Sequence, residues 1–145
     1  MLIESVNIRS VRVQDLELLI SWRSNPEIYE QFKEQDSALN WEEHISWFAS
    51  RDEDRHDYII EYKGRRVGSV YIDEDRNVGV YVGETALHSK GIGTYAINWA
   101  VKNFDKPLYA EIREDNEPSQ AAFEKCGFEE ENRENDWIKY RLGGK

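Results

Sequence analysis

Between residues 77 and 113 the apolar positions change period twice, and that switch constrains the fold more than any other feature of the chain. Val78, Val80 and Val82 alternate, as one face of a strand does. Ile92, Ala96, Ala100 and Phe104 then repeat every four residues, with Ile97 and Val101 beside them, as one face of a helix does. After Pro107 the alternation returns. The spacing predicts a strand over 77–82, a helix over 91–104 and a strand over 108–113. A strand–helix–strand unit of this length places its two strands parallel, joined by a right-handed crossover.

The flanking segments fill in the rest. Residues 6–10 read as a short strand. Leu16, Leu19 and Ile20 follow at helical spacing over 15–23, with Asp15 suited to the positive end of that helix. Asn25-Pro26 redirects the chain, and 27–32 has the look of one more helical turn. Asn40 and Glu43 form a capping-box pair, and behind them Trp41, His44, Ile45 and Phe48 fall on one face. Two β-rich runs, 58–62 and 66–72, flank the hairpin signal Lys63-Gly64-Arg65. Past residue 113, a short helix over 118–125 opens on Pro118 and stops at Gly127, and 128–131 with 137–141 form a closing antiparallel pair. The sum is an α/β (α+β) domain spanning 1–145, with a mixed, largely antiparallel sheet around a central βαβ unit.

Composition trims the functions open to such a domain. With 19 basic and 29 acidic residues the net charge is −10, which opposes a general grip on nucleic acid through its phosphates. No run approaches the roughly 18 apolar residues of a membrane helix, and the N-terminus lacks a signal-peptide pattern. The single cysteine, Cys126, rules out an internal disulfide and a cysteine-based zinc cluster. No spacing among the three histidines suggests a metal site, so none is expected. These features set the expectation of a cytoplasmic protein that binds neither nucleic acid nor membrane.

Chemistry concentrates in Gly83-Glu84-Thr85-Ala86-Leu87-His88-Ser89-Lys90-Gly91-Ile92-Gly93-Thr94. Two glycines at a helix start let a ligand approach the backbone, whose free N–H groups and dipole make an anion site. Lys90 adds a charge and Thr94 a hydroxyl. The competing explanation is that Gly91 and Gly93 only permit tight helix–strand packing. A P-loop fits worse, because the lysine precedes the second glycine. A dinucleotide fingerprint also fits worse, because a long loop separates the strand from Gly91.

This segment resembles the pyrophosphate loop of the GCN5-related N-acetyltransferases (GNATs), with His88-Ser89-Lys90-Gly91-Ile92-Gly93 in the place of their Arg/Gln-x-x-Gly-x-Gly/Ala. A second family signature, an Asn, a short helix and a Gly-Phe pair, is matched by Asn116 through Gly127-Phe128. The order of elements matches too. The resemblance implies a GNAT-like fold with helices on both faces of the sheet, and a single acetyltransferase domain. Residues 21–27 and 41–48 look like the branch that acetylates ribosomal-protein N-termini, whose features recur in enzymes acting on amino sugars.

The resemblance implies acetyl-CoA as co-substrate, lying between the 77–82 and 108–113 strands. His88, Lys90, Gly91, Ile92, Gly93 and Thr94 would hold its pyrophosphate, Val80 and Val82 its pantetheine arm, and Asn116 belongs with the same cofactor-binding set. The acceptor would be an amine, either a small molecule or a peptide, and a homodimer is compatible with the family. An amine would attack the thioester directly, with no metal and no covalent intermediate. An ammonium group has a pKa of about 10 and must lose a proton first, so Glu84 is the leading base and Glu111 a weaker one. Each could equally be a solvent-facing carboxylate. Ser119 resembles the serine that donates a proton to the departing sulfur in the ribosomal-protein branch, and alternatively caps its helix. Phe123 stands where many relatives have a tyrosine donor, and His88 replaces Arg or Gln. Those two departures sustain a rival reading, a catalytically weakened acyl-CoA-binding sensor or interaction module. A nucleotide-binding module is a third. His44 is expected to be a satisfied core or groove histidine rather than a catalytic one; Trp22, Trp41 and Trp47 are candidates to line an acceptor pocket, with core packing the expectation for at least two of them.

Overall fold

Polar breaks between apolar runs set the element boundaries. The computed structural model describes residues 5–33, 35, 37, 38, 40–51, 53–84, 87 and 91–144. Strand β1 (Val6–Ser10) leads through a 3-10 turn (Val13–Asp15) into α1 (Leu16–Arg23). The next helix, α2 (Pro26–Tyr29), is shorter and starts earlier than the sequence predicts. The fixed φ of Pro26 suits a first helical position, and the Asn25 side chain caps the turn by accepting the Glu27 N–H at 3.0 Å. In α3 (Trp41–Ala49) the expected capping box is present: the Glu43 N–H donates to Asn40 at 2.8 Å, and the Asn40 N–H reaches back to Glu43 at 3.4 Å. Trp41, expected on the packed face, is instead 49% exposed, because it lies in the first turn where α3 has not yet met the core.

Asp15 does something other than favour a helix dipole. It is fully buried, and its carboxylate accepts from Arg9 at 2.8 and 3.0 Å, from the Arg12 N–H at 2.7 Å and from Arg66 at 3.1 Å. Burial alone would raise its pKa, but these donors outweigh it and hold the group at about 2. The network ties the start of α1 to two strands.

Those strands are β1 and β3 (Arg65–Ile72), which flank β2 (His56–Tyr62) in an antiparallel sheet of order β1-β2-β3-β4, with β4 (Val78–Val82) at its edge. Lys63 and Gly64 both take positive φ, 52° and 81°, the two-residue turn whose twist matches the strands it joins. Helix α4 (Ile92–Asn103), strand β5 (Leu108–Arg113), helix α5 (Glu117–Lys125) and strands β6 (Glu129–Glu134) and β7 (Trp137–Leu142) complete the chain. The last three strands form a second antiparallel sheet, β5-β7-β6.

The sheet is therefore divided. Where one continuous mixed sheet was expected, the parallel pairing of β4 and β5 shrinks to a single bridge, Asn77 to Tyr109. That joint is tightened by the Tyr109 N–H donating to the Arg76 carbonyl at 2.9 Å and by Arg76 Nε donating to the Pro107 carbonyl at 2.8 Å. Past this joint the two edge strands have no ladder between them.

Alternation along β2 shows the layers. Ile60 faces a core shared with α4, α5 and the second sheet, whereas its neighbour Ile59 faces α1, α2 and α3. Helices thus cover both faces, as expected. Both residues are fully buried, each worth roughly 1.5–3 kcal/mol of transfer free energy. Among the described residues no helix is long and apolar enough to cross a membrane.

Candidate active site

Helix α4 begins at an unusual place. Gly91 caps it in a left-handed conformation, φ 84°, is exposed, and has no side chain to cover the first free amides. Ile92, 1% exposed, anchors this first turn in the core. A Cβ placed on Gly91 or Gly93 would meet no described atom within 4 Å. Tight helix–strand packing, one of the two sequence explanations for these glycines, is therefore not their reason. The contrast with Gly68 and Gly79 is direct, since a Cβ there would strike a neighbouring backbone or the Tyr71 ring. At α4 neither glycine is held by packing against a described atom, an arrangement compatible with an anion approaching the first amides of the helix. Thr94 sits in the same turn, half-buried, its carbonyl accepting the Cys126 S–H at 3.7 Å. His88 and Lys90 lie outside the described residues.

The division of the sheet leaves a cavity of about 500 Å³. Asn77 lines it from just before β4, Val78, Gly79 and Val80 from β4 itself, Glu111 and Ile112 from β5, and Asn116, Ser119 and Phe123 from α5 and its cap. Both strands are sheet edges here, the position at which an extended ligand can pair with a strand's backbone. Val80 and Val82 pack against the main core while their strand keeps this edge.

The side chains expected to do chemistry are distributed unevenly. Asn116 caps α5, accepting the Ser119 N–H at 3.2 Å and donating to Gln31 at 2.9 Å. Because Asn116 makes that cap, capping is not what Ser119 is for, and Ser119 is half-buried on the cavity wall. Phe123 is a buried wall residue, edge-on to Phe128 at 5.0 Å, and brings no hydroxyl. Glu111 lies on the cavity, paired with Lys33 at 2.8 Å. Glu84 lies elsewhere: it accepts from Arg65 at 3.0 Å on the exposed end of β4 and is not part of the cavity lining.

The far wall comes from residues that sequence reasoning passed over or read differently. Arg23 lies 4.3 Å over the Phe32 ring and donates to Gln35 at 2.7 Å. Arg55 lies 4.4 Å over Tyr71 and is fixed by Asp57 at 3.1 Å. Burial raises the pKa of both Tyr71 and Tyr81, so neither phenol ionises near neutrality. Asp73 organises the β3–β4 turn by accepting the Asp75 and Asn77 N–H groups at 2.9 and 2.8 Å. The pattern Asp-x-Asp-x-Asn at a turn was the available signal for it. Trp47 lines the cavity, whereas Trp22 is core, 6% exposed and edge-on to Tyr81.

His44 departs from expectation. It is 4% exposed and lines the cavity, yet neither ring nitrogen has a hydrogen-bond partner among the described residues. The ring stacks on Trp47 at 5.2 Å. Leaving a buried polar group unpaired costs about 1–3 kcal/mol. Burial first, and the Arg23 charge second, lower its pKa below the ordinary value, with Asp57 opposing, so the ring is neutral at pH 7.

A family model described as an acetyltransferase (GNAT) domain matches residues 5–129. The chain belongs to the GNAT acetyltransferase family. An uncharacterized protein, MJ1062 of Methanocaldococcus jannaschii, is 40% identical over 145 residues that cover 90% of this chain. The match takes in 30% of that protein's length, so this chain spans under a third of the curated relative. Among solved structures, a domain from Methanocaldococcus jannaschii superposes with a TM-score of 0.83 at 35% identity, covering 94% of this chain and 97% of that one. The spermidine N-acetyltransferase of Vibrio cholerae, solved with CoA and spermine, gives a TM-score of 0.80 at 17% identity, covering 95% and 94%. That last likeness is one of fold. The family membership agrees with the pattern carried by the glycine segment and by residues 116–128.

Proposed function

We propose that this GNAT domain transfers the acetyl group of acetyl-CoA to a primary amine in a ternary complex. The observation that carries the reading is the start of α4. A Cβ at Gly91 or Gly93 would meet no described atom, and a cavity framed by two strand edges is lined from β4 on one side and β5 on the other. The diphosphate of the coenzyme fits the first, with Lys90 and His88 as further contacts. The pantetheine arm, itself an amide chain, fits the second by pairing along Val80 to Val82. The thioester is then held where an amine can reach its carbonyl carbon. The N–C bond forms as the C–S bond breaks, and the thiolate takes a proton. Such catalysis consists mostly of positioning, with proton transfer adding less.

Ser119 suits the proton donor to sulfur, since it is on the wall and Asn116 rather than Ser119 closes the cap. For the base, Glu111 gains support from its place on the cavity, while the Glu84 ion pair with Arg65 offers that residue none. Among the described residues the lining carries five carboxylates (Glu43, Asp73, Glu74, Asp75 and Glu111) against three cations (Arg23, Lys33 and Arg55), which favours a cationic acceptor. A small amine, an amino sugar or a peptide N-terminus all meet that description. Residues 21–27 and 41–48 support the last two through their likeness to the ribosomal-protein and amino-sugar branch.

The test is thermal stabilisation by acetyl-CoA, CoA and ATP, followed by thiol release from acetyl-CoA with spermine, ribostamycin and an alanyl peptide. Stabilisation by acetyl-CoA together with amine-dependent thiol release is the expected result. Stabilisation without release on any amine identifies the acyl-CoA sensor instead, the reading that Phe123 favours by supplying no hydroxyl. A shift with ATP alone refutes both.

A further inference from the structure

His44 is buried on the cavity wall, and neither of its ring nitrogens has a hydrogen-bond partner among the described residues. We propose that His44 is an acceptor-binding residue, its imidazole taking a hydrogen bond from an N–H of the amine that occupies the cavity. The inference rests on the transferase reading and adds to it the residue that receives the second substrate.

Geometry carries it. His44 comes from α3, whose apolar face packs in a different core cluster from that of α4, and it lines the cavity together with Arg23, Trp47 and Arg55. It is 96% buried by side-chain surroundings that satisfy neither Nδ1 nor Nε2. Every buried group of this kind calls for a reason, an absent ligand being one. Both nitrogens are closed to water, so an amine reaches one of them by a turn of the ring about Cβ–Cγ. That turn breaks no hydrogen bond, because none is made. The ring's neighbours keep it in the form that accepts. Arg23 of α1 disfavours a second proton, and Asp57 of β2, which would favour one, is already held by Arg51 at 2.8 Å and Arg55 at 3.1 Å. Glu43, the adjacent carboxylate on α3, is engaged in the capping box. A neutral imidazole offers one lone pair, and an amine N–H is its complement.

Two variants test this, His44→Phe, which keeps an aromatic ring without polar atoms, and His44→Gln, which keeps a lone pair that does not titrate. Each is measured for acetyl-CoA affinity by calorimetry, and for kcat and KM with spermine, ribostamycin and the alanyl peptide between pH 5 and pH 8. In the wild type, KM for the amine is expected to rise as pH falls through the lowered histidine pKa, since protonation removes the lone pair. His44→Phe should raise KM about tenfold, as loss of one hydrogen bond does, with acetyl-CoA affinity unchanged. His44→Gln should recover most of that loss and show no acid rise in KM. An unchanged KM in His44→Phe overturns the proposal. If that variant fails to bind acetyl-CoA, the pH profile of His44→Gln decides, and an acid rise as in the wild type overturns it. Wild-type protein that binds acetyl-CoA but acetylates no amine refutes the transferase reading itself, and this inference with it.

Discussion

Ser119 is placed one helical turn ahead of Phe123, on the same cavity wall, and its hydroxyl is not spent on closing α5. Replacing it with alanine should therefore leave acetyl-CoA affinity within about twofold and lower kcat by about tenfold or more, the lower range for loss of a proton-transfer group. Steady-state kinetics beside calorimetry separate the two, and unchanged kcat removes Ser119 from the acid role. The side chains of the site were legible in proportion to how local their partners are. Asn40 with Glu43 and Asn25 with Glu27 are separated by two or three positions; the sequence shows the first as a capping box, and the second comes into view once Pro26 is seen to open α2. Glu84 with Arg65 and Lys33 with Glu111 are 19 and 78 residues apart, and no spacing rule reaches that far. His44 falls between: its burial follows from the helical face it shares with Ile45 and Phe48. Its lack of partners depends on what α1 and β2 happen to present.

Periodicity carries most at the scale of elements. The strand over 6–10 and the strand over 108–113 have the bounds expected, and α4 differs from expectation only in that Gly91 and Phe104 are its caps. The glycine segment had two explanations on spacing alone, because a pair of small residues serves packing and ligand approach equally well. Open space beside both positions, among the described residues, speaks against packing. Gly93→Val makes the choice between them measurable. A Cβ at Gly93 meets nothing described, and the first turn tolerates valine at a cost of under about 1 kcal/mol, so the fold should hold. The diphosphate cannot approach past the branched side chain, and acetyl-CoA affinity should fall by about tenfold or more. A variant with wild-type affinity would show that the glycines serve something other than the coenzyme.

At the scale of the molecule, periodicity carries no sign of the division into two sheets; only the family resemblance, which implies a coenzyme between the 77–82 and 108–113 strands, points to a gap there. The strands over 77–82 and 108–113 have the composition of an ordinary parallel pair. They separate because Arg76, Asn77, Pro107 and Tyr109 lock one end together while the rest of each strand follows its own antiparallel partners, β3 and β7. Strand pairing is non-local, and its failure is set by the twist of two sheets rather than by any residue in the gap. That gap, flanked by α3 and α5, holds the cavity of about 500 Å³ on which the proposed function rests. The most direct test follows amide resonances of the ¹⁵N-labelled protein during titration with acetyl-CoA. The account predicts saturable shifts at Ile92, Gly93 and Thr94 together with the Val78–Val82 edge, leaving the β6 edge unmoved. Saturable binding that leaves the Ile92 to Thr94 amides where they were would contradict it.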